Sequence, residues 1–154
     1  MSDLEKILLT SALTIFGGVL IYVAGQLLSK LILEPAYELR KTIAEVRFVL
    51  SFYAPTIHTP IGRDKDSSSK AYEALMKSSS DLLSKLHAIP AYDLVCHLSC
   101  GLLPTRENVE TAAVQLRGLS THMHQTGDKA DESIDVIDKR VEKTERLLGL
   151  KALA

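Results

Sequence analysis

A chain of 154 residues with a net charge of -1 has room for one domain of ordinary size. With Lys6, Asp3 and Glu5 set aside the remaining acidic and basic side chains balance, which argues against the phosphate-neutralising surface that bulk nucleic-acid binding needs. Two cysteines, Cys96 and Cys100, are too few for the disulfide framework of a small secreted protein, so a reducing compartment is the simpler expectation.

The first element is apolar. Ile7 to Ser29 carries no charge, and as a helix it would measure about 35 Å against a hydrocarbon layer of about 30 Å. Twelve of its residues are Leu, Ile, Val or Phe. Each favours insertion by roughly 0.3–0.6 kcal/mol near the bilayer centre, which outweighs Thr10, Ser11, Thr14 and Gln26. A cleaved signal peptide would want a basic start and a shorter apolar run. Here the chain begins Met-Ser-Asp-Leu-Glu-Lys, and hydrophobicity continues through Leu27, Leu28, Leu31, Ile32 and Leu33. The sequence therefore predicts one retained span. Lys30, Arg40, Lys41 and Arg47 follow it and only Lys6 precedes it, so the C-terminal part is expected in the cytoplasm and the N-terminus outside, as in a single-pass protein of a bacterial inner membrane.

Within the span, Ser11, Gly18 and Gly25 recur every seven residues, with Thr14, Ile21 and Leu28 interleaved. Small residues in such a seam let helix backbones approach closely in lipid, and the seam is expected to mediate self-association. Three parts follow: 1–33, tail and transmembrane helix; 34–125, a cytoplasmic helical domain; and 126–154, a C-terminal amphipathic helix.

Pro35 is expected to kink or restart the chain. The next helix, to about Tyr53, presents Ala36, Leu39, Ile43, Val46, Leu50 and Tyr53 at three and four spacing. Its apolar end, Phe48 to Tyr53, is expected to be buried on more than one side. Residues 54–69 hold two prolines, a glycine and three serines and read as a long loop, docked in its first half and solvated from Arg63 to Ser69. Then comes a helix from near Ser69 with Ala71, Leu75, Ser78, Leu82 and Leu86 on one face, and a short apolar one over about Ala91 to Leu103. A fourth starts at Thr105, a cap residue, and presents Val109, Ala112, Ala113, Leu116, Leu119 and Met123. The last, about Asp131 to Leu150, carries Ile134, Ile137, Val141, Thr144 and Leu148 in heptad spacing. That stripe either packs on its own domain or joins copies as a coiled coil. The fold class is thus all-α.

Chemistry is sparse. His87, Cys96, His97 and Cys100 are the one metal-like constellation, since zinc takes tetrahedral sulfur and nitrogen ligands, but the spacing lacks the usual CxxC knuckle. Set among Leu94, Val95, Leu98 and Leu102, the cysteines are expected to be core residues. No nucleophile elbow, phosphate loop, dinucleotide fingerprint, HExxH or EF-hand pattern occurs, and no catalytic residue, metal or cofactor is expected. The stretch from Leu33-Glu34-Pro35 to Glu45-Val46-Arg47 and the loop Ala-Pro-Thr-Ile-His-Thr-Pro resemble features of small bacterial membrane proteins, a likeness from which no functional residue carries over. The expected role is a non-enzymatic membrane-anchored protein that forms homo-oligomers or tethers a cytoplasmic protein partner at the lipid bilayer. A pore or bilayer-perturbing effector is the alternative, and dye release from vesicles separates the two.

Overall fold

The computed structural model describes residues 3–59, 64–99, 101–123 and 130–150, and all regular structure among them is helical. α1 (Asp3–Leu28) passes through a π-helical turn (Ser29–Leu33) into α2 (Glu34–Phe52), making one unbroken helix of 50 residues. Pro35 stands in the first turn of α2, as expected of a restart, while the chain stays helical through it. The Glu34 amide donates to the Ser29 carbonyl in the i→i+5 pattern, and this wide turn comes just before a residue that has no amide hydrogen to place.

From Leu39 onward the helix joins a bundle with α4 (Lys65–His87), α6 (Arg106–His122) and α7 (Ala130–Leu147), packed in the order α2, α4, α6, α7. α2 and α4 run antiparallel: Glu38 near the start of one meets Lys85 near the end of the other at 3.3 Å. The predicted stripes supply the core, with Leu39, Val46, Leu75, Leu82, Leu116 and Ile137 fully enclosed. A polar contact also crosses it, where the Ser79 hydroxyl donates to the Ala113 carbonyl at 2.8 Å. Satisfying a buried hydroxyl in this way avoids a desolvation penalty of about 1–3 kcal/mol. Gly118 lets α7 lay the Arg140 guanidinium across α6, where it donates to Gln115 Oε1 at 2.9 Å; a Cβ on Gly118 would collide with it.

Two sequence expectations are corrected. Phe48 and Phe52 are not buried on a second side but stand 64% and 62% exposed, stacked at 5.6 Å, because α2 has one principal neighbour in the bundle and so one covered stripe. The segment 54–69 is not a plain loop. Ala54–His58 forms α3, with proline in its first turn and Ile57 fully buried, and His58 Nδ1 lies 2.6 Å from Asp138 on α7. α4 begins at Lys65 because Asp64 caps it, accepting from the Ser67 amide at 3.2 Å and the Ser67 hydroxyl at 3.3 Å. Thr105 caps α6 as expected, accepting from the Asn108 amide.

Between α4 and α6 the chain makes α5 (Tyr92–Leu98), entered through Ala91 in the left-handed region at φ 49°. Such a backbone costs a non-glycine residue roughly 1–2 kcal/mol, offset here by Ile89 and Tyr92, which bury on either side of it. The Tyr92 hydroxyl donates to the Pro104 carbonyl at 2.6 Å, and the ring is wholly buried beneath the Arg106 guanidinium, 5.5 Å from its centroid. Burial pushes the phenol up to about 12, the nearby Cys96 adding to the effect. A group whose folded pKa is raised contributes stability that is complete below its unfolded value, near 10, and is lost as pH climbs through 12. Stability should accordingly fall between pH 10 and pH 12 in alkaline unfolding, and Tyr92→Phe should remove that part of the slope. An unchanged slope in the variant would show that Tyr92 ionises freely in the folded chain.

Candidate membrane anchor

α1 buries none of its residues. Its large apolar side chains range from 46% exposed at Val23 to 76% at Ile21, an apolar surface far larger than a soluble monomer presents to water. It is the one helix among the described residues that is long and apolar enough to cross a membrane. Two of its polar groups are internally satisfied: the Thr10 hydroxyl donates to the Lys6 carbonyl and the Thr14 hydroxyl to the Thr10 carbonyl, each at 2.8 Å. Hydroxyls folded back on their own helix in this way suit an apolar solvent.

The proposed seam is open. Ser11, Thr14, Gly18, Ile21, Gly25 and Leu28 are all exposed, and a Cβ placed on Gly18 or Gly25 would meet nothing within 4 Å. The second predicted seam has a different position: Ile137, Val141 and Leu148 are buried in the domain's own core beside α6, and Ile134 is half-buried. The heptad spacing of α7 thus serves intramolecular packing, the first of its two expected uses.

The metal-like residues do not converge. His87 is exposed with Nδ1 2.7 Å from the Leu83 carbonyl of its own helix, and His97 is exposed. The Cys96 thiol donates to the Leu103 and Pro104 carbonyls at 3.5 and 3.6 Å. Cys100 lies outside the described residues. Among the described residues no group of three or more His, Cys, Asp or Glu is placed to hold a metal ion.

Of the two cysteines expected in the core, the described one packs against its edge. Cys96 is only half-buried, while Leu94, Leu98 and Leu102 around it are 60%, 74% and 63% exposed. α5 turns Tyr92 and Val95 inward, and the leucines are left on the outer face. In sequence α5 is apolar nearly all round, which conceals that outer face; the reversal at Ala91 that sets it is a backbone feature with no glycine to announce it. Comparison of the chain with family models, curated proteins and solved structures finds no match in any of the three.

Proposed function

We propose that this chain is a non-enzymatic membrane scaffold: α1 crosses a bilayer once, spans associate through the seam of small residues, and each copy holds its helical bundle at the cytoplasmic face, where it tethers a protein partner. One observation carries the reading. A long apolar helix with no buried residue continues without a break into the first helix of a well-packed domain. Such a helix needs an apolar solvent, and the cations that follow it, Lys30, Arg40, Lys41 and Arg47, favour retention of the bundle in the cytoplasm. The stacked Phe48 and Phe52, near the far end of α2, offer the aromatic surface that protein partners commonly use.

Self-association is tested by mass in mild detergent. Gly18→Leu or Gly25→Leu should shift the protein towards monomer, because a leucine in the seam separates the backbones and forfeits on the order of 1 kcal/mol or more of packing per site. Val19→Leu, off the seam, should change little. A wild-type chain that is monomeric at micromolar concentration would remove the oligomer and leave the tether. The pore reading gains nothing from Thr10 and Thr14, whose hydroxyls turn back to the helix, and Gln26 with Ser29 makes a thin polar stripe.

A further inference from the structure

Where α1 gives way to α2, the helix and α5 enclose an open apolar groove of about 450 Å³. One wall is the end of the apolar helix itself, with Leu28, Ile32 and Leu33; the other is Leu98 and Leu102; Arg40 lies at one end. The uncharged stretch stops at Ser29, and Leu33 is about 6 Å further along the axis. Each headgroup layer of a bilayer is about 5–8 Å deep. With α1 inserted, the groove therefore opens on the acyl chains at its Leu28 end and runs through the headgroup layer, with the exposed Leu98 and Leu102 on its wall.

Two observations set the occupant. The groove is continuous with the membrane-facing surface of α1, so lipid that surrounds the helix reaches it without leaving the bilayer. The cation among its lining residues, Arg40, is about 10 Å past Leu33 along the axis, and a long arginine side chain leaning back toward the helix N-terminus covers most of that distance to a phosphate. We propose that α5 and the turn after it form an interfacial lipid-binding element: Leu94, Leu98 and Leu102 dip into the cytoplasmic leaflet, and the groove holds an acyl chain of a phospholipid whose phosphate meets Arg40. The inference rests on the anchoring reading above and adds to it a second, monotopic contact with the same leaflet.

The chain has no tryptophan, so single introduced ones report position without background. Leu98→Trp, Leu20→Trp and Val114→Trp, all at exposed positions, are reconstituted in phosphatidylcholine–phosphatidylglycerol vesicles whose lipids carry bromine either near the headgroup end or near the tail end of the acyl chains. Tryptophan at 98 should emit to the blue of that at 114 and lose intensity chiefly to the headgroup-end bromines, and that at 20 to the tail-end ones. Arg40→Gln should reduce the quenching at 98 and leave that at 20 unchanged. Emission at 98 matching that at 114, with 20 still quenched, would overturn the lipid contact alone. A blue-shifted but unquenched signal at 98 would mean that protein covers the leucines, which also overturns it. No quenching at 20 would remove the anchoring reading and this inference together. Leu102→Trp repeats the measurement should the first variant lose its helical circular dichroism.

Discussion

Phe16→Arg combined with Leu20→Arg should release the protein from membranes into the soluble fraction after alkaline carbonate treatment. Each arginine near the centre of a span costs about 2.5–3.5 kcal/mol, and the lost Phe and Leu forfeit roughly 0.3–0.6 kcal/mol apiece, so the pair costs about 6–8 kcal/mol. The twelve large aliphatic and phenyl residues between Ile7 and Ser29 supply about 4–7 kcal/mol in total by the same scale. The cost wins. Because α1 contributes no buried residue, the released protein should keep the far-ultraviolet circular dichroism of its bundle. A doubly substituted chain that still pellets with membranes would deny that α1 is the anchor, and a wild-type chain isolated with an N-terminus near Gln26 would show a removed signal instead.

Leu116→Ala should lower the unfolding free energy of the bundle by about 2–5 kcal/mol, read from the urea midpoint at unchanged slope. Leu116 is fully buried on α6, the helix that packs against both α4 and α7, so the lost side chain leaves a void in the middle of the bundle. Against a typical stability of about 5–15 kcal/mol this is a large fraction. Val114→Ala, two positions away but 60% exposed, should stay within about 0.5 kcal/mol. Equal effects at the two positions would place the core of α6 on the wrong face.

The helical stripes were legible because burial in a bundle selects one face, and that selection leaves a period in the sequence. Leu75, Leu82 and Leu86 of α4 and Val109, Leu116 and Leu119 of α6 are buried where their spacing puts them. The cap at Thr105 was legible for the same kind of reason, a side chain answering a local need. What periodicity cannot show is a single added residue in a turn, and so the π turn at Ser29–Leu33 that leads the helix into Pro35 left no mark in the sequence pattern. Asp64 was missed because the serines after it also suit loops, and only the accepted Ser67 amide distinguishes a cap from a turn. The outward faces of Phe48, Phe52, Leu94 and Leu98 were hidden by another limit: hydrophobicity tells that a residue favours leaving water, not that its own domain will cover it.

The unbroken passage from α1 to α2 makes the molecule a lever. A span longer than the local hydrocarbon layer accommodates by tilting, commonly by about 20°. With no break between α1 and α2, the tilt of an inserted α1 would be handed on to α2. Its 19 residues reach about 28 Å, so the end bearing Phe48 and Phe52 would swing sideways by about 10 Å. If α1 is inserted as proposed, the chain would convert a small change in membrane thickness into a displacement of its aromatic tip comparable with the width of a helix.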